Sequence, residues 1–155
     1  MNGKALKRRP ESHAGITHAD TLRVRDTCLC LFVQRAARAL ARRFDEALRP
    51  LDLTNGQFSL LMSLNRPQAP AMGEVAQLLA MDRTTLTAAL KPLERRGLVQ
   101  VAADPDDRRS RRLTLTGAGQ KLLAAALPIW EREHGALEAA IGSPDRLRKD
   151  LGKLA

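Results

Sequence analysis

The chain has 155 residues, a length that fits one domain, with 44% hydrophobic residues and a formal net charge of +9. No apolar run approaches the ~18 residues of a bilayer span, and the basic, polar N-terminus lacks the apolar stretch of a secretory signal. Two cysteines are too few and too close for a disulfide framework, so a reducing, cytoplasmic setting is expected.

The positive surplus favours a polyanion as partner. Because it is not confined to one amphipathic helix, a membrane surface is not expected. Three Phe, one Trp and no Tyr require a mostly aliphatic core.

Residues 1–22 are polar and basic, with Lys4, Lys7, Arg8 and Arg9, and read as a flexible arm. From about 23 to 50 Leu29, Phe32, Val33, Ala36, Leu40, Phe44 and Leu48 recur at helical spacing. This stripe is wide enough to cover the following domain on one side and a second subunit on the other. Pro50 closes the helix, because the residue before a proline avoids the α region. Arg35, Arg38, Arg42 and Arg43 read as solvated. Cys28 and Cys30, at i and i+2 on such a helix, would point about 200° apart, and a disulfide between them would be strained. Their neighbours Leu29 and Leu31 favour neutral thiols, so both cysteines are expected to be buried and structural.

Thr54-Asn55-Gly56-Gln57 has the spacing of a capping box and predicts a helix to about Ser63, with Phe58, Leu61 and Met62 inward. After the proline-bounded loop Arg66–Pro70, Val75, Leu78 and Leu79 mark a short amphipathic helix. Asp82 is placed to cap the next one through the N–H of Thr84 or Thr85. There Leu86, Leu90 and Leu93 share one face. Thr84, Ala88, Lys91 and Arg95 lie roughly opposite, with Thr85 and Thr87 on the flanks and Arg83 at the start. A face this small and polar fits a major groove. Threonine offers a donor, an acceptor and a methyl to base edges; lysine offers charge to a phosphate or guanine. Ala88 offers a methyl to pack on thymine. Pro92 predicts a bend, and Gly97 ends the helix.

Beyond Gly97 the period changes. Leu98, Val99 and Val101, then Leu113, Thr114 and Leu115, read as two strands. Between them Asp104-Pro105-Asp106-Asp107-Arg108-Arg109-Ser110 is turn chemistry loaded with charge. Arginine at a hairpin tip is slim enough for a minor groove and is drawn by its negative potential. Arg108 and Arg111 are candidates for phosphates.

Thr116 can cap a long helix to about Ile141, with Leu122, Leu123, Ala126, Leu127 and Trp130 in its stripe and a kink at Pro128. Gly142 stops it. Ser143-Pro144-Asp145 then reads as a cap, a first-turn proline and an acidic first-turn residue. Leu147, Leu151 and Leu154 form a last apolar stripe with little left in the chain to cover it. His134 and Glu138, at i and i+4, read as a surface ion pair rather than a metal site. No catalytic constellation and no cofactor motif is found.

The motifs at Asp82-Arg83-Thr84-Thr85-Leu86, Leu93-Glu94-Arg95-Arg96-Gly97-Leu98-Val99, Asp106-Asp107-Arg108-Arg109 and Leu113-Thr114-Leu115-Thr116-x-x-Gly119 resemble the MarR family of bacterial transcription regulators. The resemblance extends over residues 28–141. It implies a mainly α fold with a small β-hairpin wing: a winged helix-turn-helix at about 54–116 flanked by dimerisation helices at about 23–50 and 116–155. It also implies a homodimer on a pseudo-palindromic double-stranded operator, usually a repressor, released in many members by a small aromatic acid. Arg109 then takes the place of the minor-groove arginine, with Asp107 orienting it, and Leu147, Leu151 and Leu154 fall in the dimer interface. Phe32, Phe58, Met62 and Trp130 are the bulky side chains placed to line an effector pocket, with a nearby arginine as counter-charge. Where the family usually has a Ser or Thr cap, this chain has Ala71, which weakens the helix start by roughly 1 kcal/mol.

Two other readings remain open. Some members of the family sense hydroperoxides through a cysteine near the start of the first helix, supported by tyrosines, which points to Cys28 and Cys30; this chain has no Tyr. The second is a non-specific, architectural DNA-binding protein, given the net charge. An enzyme is not expected.

Overall fold

The computed structural model describes residues 15–105, 107 and 110–154. The chain divides after Arg38 into two compact units.

The first unit contains α1 (His18–Thr27) and the start of α2 (Leu29–Leu48). Thr17 caps α1: its hydroxyl accepts the Asp20 N–H, and the Asp20 carboxylate accepts the Thr17 N–H. The Thr17 hydroxyl, which donates to Asp20 Oδ2 at 2.6 Å, and then the Thr17 N–H hold the Asp20 carboxyl below the ordinary carboxylate range. The single helix expected from about residue 23 is therefore two, and the first begins five residues earlier. The break falls at Cys28, whose backbone is extended (φ −74°, ψ 104°). Thr27 donates its hydroxyl back to the Arg23 carbonyl at 2.8 Å, a bond that tends to bend helices, and Thr and Cys are both weak helix formers. The expectation of buried cysteines is also wrong. Cys30 is exposed, with Gln34 Nε2 donating to its sulfur at 3.1 Å, and Cys28 is half-buried.

The second unit begins in the last turns of α2, where Phe44 and Leu48 are buried, and continues through a 3₁₀ turn at Arg49–Leu51. Then come α3 (Asn55–Leu64), α4 (Met72–Leu78), α5 (Arg83–Arg95), β1 (Val99–Ala103), β2 (Arg111–Leu115), α6 (Gly117–Ala139) and α7 (Pro144–Leu151). The strands pair antiparallel with Val99 opposite Leu115 and Ala103 opposite Arg111. A single bridge from Ala71 to Arg112 adds the loop before α4 to the sheet edge.

One leucine-rich core joins these elements except α7, which buries no residue. Leu48, Leu61, Val75, Leu86, Leu93 and Leu113 have no exposed surface, and each contributes about 2 kcal/mol by leaving water. The aliphatic core follows from the composition. α4 departs from its sequence reading: Val75 is buried, but Leu78 is 58% exposed.

The helix ends show how the turns are made. At α3 the Thr54 hydroxyl accepts the Gln57 N–H and Gln57 Oε1 accepts the Thr54 N–H, as the spacing predicts. At α4 half of this device is present: Glu74 Oε2 accepts the Ala71 N–H at 2.7 Å, and Ala71 has nothing to offer in return. Gly97 closes α5 at φ 68°, with its N–H on the Glu94 carbonyl and that of Leu98 on the Leu93 carbonyl. Ala80 closes α4 in the same way at φ 50°, with Ala80 N–H on Gln77 and Met81 N–H on Ala76. There the Cβ costs about 1 kcal/mol that a glycine would avoid.

Both internal prolines, Pro92 and Pro128, sit inside helices that run on through them. Ser143 makes no side-chain cap to α7, contrary to the sequence reading; its backbone (φ −153°, ψ 73°) is not that of a capping residue. Arg43 is not simply solvated, because its Nε donates to Glu133 of α6 at 3.2 Å. Among the described residues no helix is long and apolar enough to cross a membrane.

Candidate nucleic-acid interface

Asp82 starts the α5 surface. Its Oδ1 accepts the Thr85 N–H at 2.8 Å and its Oδ2 the Thr85 hydroxyl at 2.6 Å. Leu86, Leu90 and Leu93 anchor the helix in the core, which turns Thr84, Ala88 and Lys91 outward. All six helix residues expected to meet DNA (Arg83, Thr84, Thr85, Thr87, Ala88 and Lys91) are exposed.

Their hydroxyls are not equivalent. Thr85 donates to Asp82, and Thr87 donates to the Arg83 carbonyl at 2.7 Å. Those two protons are committed within the helix. The side chains of Thr84 and Lys91, like those of Arg83 and Arg95, make no hydrogen bond or ion pair among the described residues, so Thr84 is the threonine of the face whose hydroxyl proton is uncommitted. Arg83 leans back over α4, where a Cβ on Gly73 would lie 3.8 Å from its Nη2.

The far end of α5 is fixed by a contact that the sequence reading missed. Arg96 Nη1 donates to the Asp52 carbonyl at 2.6 Å, and Asp52 itself sits in the left-handed region (φ 50°). The start of α3 is tied to α2 by the Asn55 N–H on Asp45 Oδ1 at 2.7 Å. Nothing in local spacing signals either bond, since the Arg96 link joins residues 44 apart.

In the wing, Arg111 is exposed at the base of β2 opposite Ala103. Arg108 and Arg109 lie outside the described residues. Asp107 is exposed and its carbonyl accepts the Ser110 N–H at 2.8 Å. The arginine that the sequence reading passed over is Arg112. Its Nε donates to Asp104 Oδ2 at 2.7 Å and its Nη1 to the Ala69 carbonyl at 3.1 Å. Asp104 and Arg112 are diagonal neighbours on one face of the hairpin, a pairing that alternation along the strands would have revealed.

A second feature is an apolar cavity of about 380 Å³ between α3, α4 and α6. Phe58, Met62, Leu78, Leu127 and Trp130 line it with Ser59 and Ser63. Trp130 lies between Phe58 (ring centroids 6.4 Å) and His134 (4.4 Å). Three of the four residues expected at a pocket meet here. Phe32 belongs to the first unit, with the Arg35 guanidinium 6.0 Å above its ring. The lining contains no charged side chain, so the expected arginine counter-charge is not among it. His134 and Glu138 stand 3.8 Å apart, as their spacing predicts. Among the described residues no group of three or more His, Cys, Asp or Glu is arranged to hold a metal.

A buried-backed helix with a small polar outer face, followed by a charged two-stranded wing, defines a winged helix-turn-helix regulator. The MarR family model matches residues 53–110. The DNA-bound transcriptional regulator MosR of Mycobacterium tuberculosis is 39% identical, with a TM-score of 0.76 over 82% of this chain and 92% of that one. The transcriptional repressor CouR, bound to a 23-mer DNA duplex, is 30% identical, with a TM-score of 0.74 over 84% of this chain and 94% of that one. The transcriptional regulator HosA of Escherichia coli O111:H- is 40% identical over 80 residues, half of this chain and 58% of HosA. The chain spans 50–62% of the length of the first curated relatives it matches. This protein belongs to the MarR family, and its relatives are transcription regulators rather than enzymes.

Proposed function

We propose that the protein is a cytoplasmic, homodimeric, sequence-specific DNA-binding regulator. In this reading it represses transcription and is released by a small effector. The observation that carries the DNA reading is the outward row Thr84, Ala88 and Lys91 on a helix whose opposite face is locked into the core. That row enters the major groove, while Arg108, Arg109 and Arg111 of the wing meet the flanking minor groove and phosphates, with Asp107 orienting Arg109. The DNA in the MosR and CouR structures supports the partner, and CouR's description as a repressor supports the direction.

The dimer reading rests on Leu147, Leu151 and Leu154, which are 43%, 42% and 64% exposed in the single chain. Two-fold symmetry then calls for inverted half-sites about 10 bp apart. The effector reading rests on the apolar cavity beside Trp130.

Selection of bound duplexes from fragmented genomic DNA tests the central claim. One inverted-repeat motif enriched about a thousandfold or more over bulk DNA is expected of a specific regulator. Uniform recovery would instead make it an architectural binder. A monomer by sedimentation at micromolar concentration would remove the two-fold model.

A redox-responsive regulator is the second reading, favoured by the cysteines themselves. Cys30 is exposed and Cys28 lies on extended backbone rather than within a helix, so the helical angle that argued against their pairing no longer applies. A hydroperoxide would oxidise the two thiols to a disulfide, being reduced to alcohol and water. Loss of DNA binding on hydroperoxide, regained with dithiol and absent from Cys28→Ser/Cys30→Ser, would make this reading the leading one.

A further inference from the structure

Arg111 and Arg112 are adjacent on β2 and face opposite ways. Arg111 is exposed, whereas Arg112 is half-buried with its guanidinium engaged on two sides. One side is Asp104, which is only 5% exposed and stands where β1 gives way to the wing loop. A carboxylate buried that far needs a cation to offset its lost hydration. The other side is the Ala69 carbonyl, in the loop leading to α4. The backbone repeats the attachment: Arg112 bridges to Ala71, and the Leu113 N–H donates to the Pro70 carbonyl at 3.0 Å. Across the hairpin the Asp104 N–H donates to the Ser110 carbonyl at 3.1 Å, so Asp104 also closes the neck of the loop that carries Arg108 and Arg109 in sequence.

We propose that Asp104 and Arg112 form a clamp that sets the wing loop relative to the helix-turn-helix, making Arg112 a positioning residue for DNA binding rather than a DNA contact. The inference rests on the reading that the wing meets DNA through Arg109. Arg112 ties both strands of the hairpin to the segment that leads directly into α4. Without its guanidinium the recognition helix keeps its place, because its leucines are untouched, and the wing is held to that segment by the backbone links at Pro70 and Ala71 alone, which leaves its angle less firmly set.

The test uses the full-length protein and a duplex selected by the wild type from random sequence. Affinity and hydroxyl-radical protection are measured for Arg112→Ala, Arg112→Lys, Arg109→Ala and the Arg109/Arg112 double variant. Arg112→Ala is expected to weaken binding about tenfold or more, to lose protection at the flanks and to keep it at the centre. Arg112→Lys, which keeps a charge on Asp104, recovers part of the loss. The penalty of Arg109→Ala is expected to shrink in the Arg112→Ala background, because a misplaced wing has little left to lose.

A direct phosphate contact by Arg112 would instead make the two penalties multiply in full, and that result overturns the clamp. Unchanged affinity in Arg112→Ala overturns it as well. If Arg109→Ala costs nothing in the wild type, the wing reading falls first and the clamp with it. Thermal melts accompany each variant. Should Arg112→Ala not fold, the neutral pair Asp104→Asn/Arg112→Gln replaces it under the same criteria.

Discussion

Thr85 gives both its N–H and its hydroxyl to the Asp82 carboxylate, at 2.8 and 2.6 Å. The hydroxyl bond first, then the N–H bond, hold the Asp82 carboxyl below the ordinary carboxylate range. A lowered folded-state value means that the cap's stabilisation is fully present above the ordinary carboxylate pKa and is lost as pH falls through the lowered one. Asp82→Ala should therefore melt earlier than wild type at neutral pH. The gap should close from about pH 4 downward, as the Asp82 carboxyl becomes neutral first in the unfolded and then in the folded wild type. Melting curves from pH 7 to 3 check this; a gap that persists unchanged at the acid end would show that the cap does not act through charge.

The same bonds rank the residues of the reading face. Thr84 and Lys91 keep their donors, while Thr85 and Thr87 have spent theirs inside the helix. Thr84→Val should change which base is preferred at one position of each half-site. Thr87→Val should leave the preferred sequence as it is. Lys91→Met should lower affinity on all sequences and flatten the salt slope by about one if Lys91 meets a phosphate, or relax one position if it meets guanine. Selection from random duplexes compares all three with wild type.

Two positions trade a hydrogen for a methyl with opposite sign. A Cβ on Gly119 would lie 2.4 Å from the Leu98 carbonyl oxygen and 2.7 Å from Leu115 Cδ1, both in the packed neck of the wing. Gly119→Ala should lose about 2 kcal/mol. Ala80 already carries a methyl in the left-handed region, so Ala80→Gly should gain about 1 kcal/mol. Urea unfolding of the two variants measures both; a destabilised Ala80→Gly would mean that the turn is not strained.

Cys30 offers a further check on packing. An exposed thiol leaves little to lose, so Cys30→Ser should change stability by no more than about 0.5 kcal/mol. A loss of several times that in the same urea titration would place the sulfur in a buried contact.

The cavity makes a prediction about ligand charge. Its lining contains two serines and no charged group, and Ser63 already donates to the Leu60 carbonyl. Neutral aromatic compounds should bind in preference to the corresponding carboxylates, and Trp130 fluorescence should report them. A panel in which only carboxylates bind would move the effector elsewhere.

What the sequence disclosed was periodic or local. The leucine face of α5, the capping box at Thr54 and Gln57, the Gly97 stop and the strand pair each follow from a spacing of a few residues. The break at Cys28 did not, because the apolar stripe begins only at Leu29 and no spacing marks the join before it, where Thr27 bonds back to the Arg23 carbonyl. Arg96 and Arg43 escaped for another reason: their partners are 44 and 90 residues away, where no period reaches. Leu78 misled because a leucine at helical spacing looks the same whether it faces a filled core or an open cavity. The interface residues of α5 were legible as a face, but the ranking within that face depends on where each hydroxyl proton goes.

Thr116 is where three elements meet. Its N–H donates to the Leu98 carbonyl, its hydroxyl donates to the Gly97 carbonyl at 2.7 Å and accepts the Gly119 N–H at 3.1 Å. The helix that starts there runs for 23 residues, a rod about 34 Å long at the usual rise. With its base pinned at the exit of the recognition helix, that rod would act as a lever about Thr116 were its far end displaced. A tilt of about 10° at the fulcrum carries the far end through about 6 Å over that length, and a push at the far end returns to the wing's neck as a small, forceful twist.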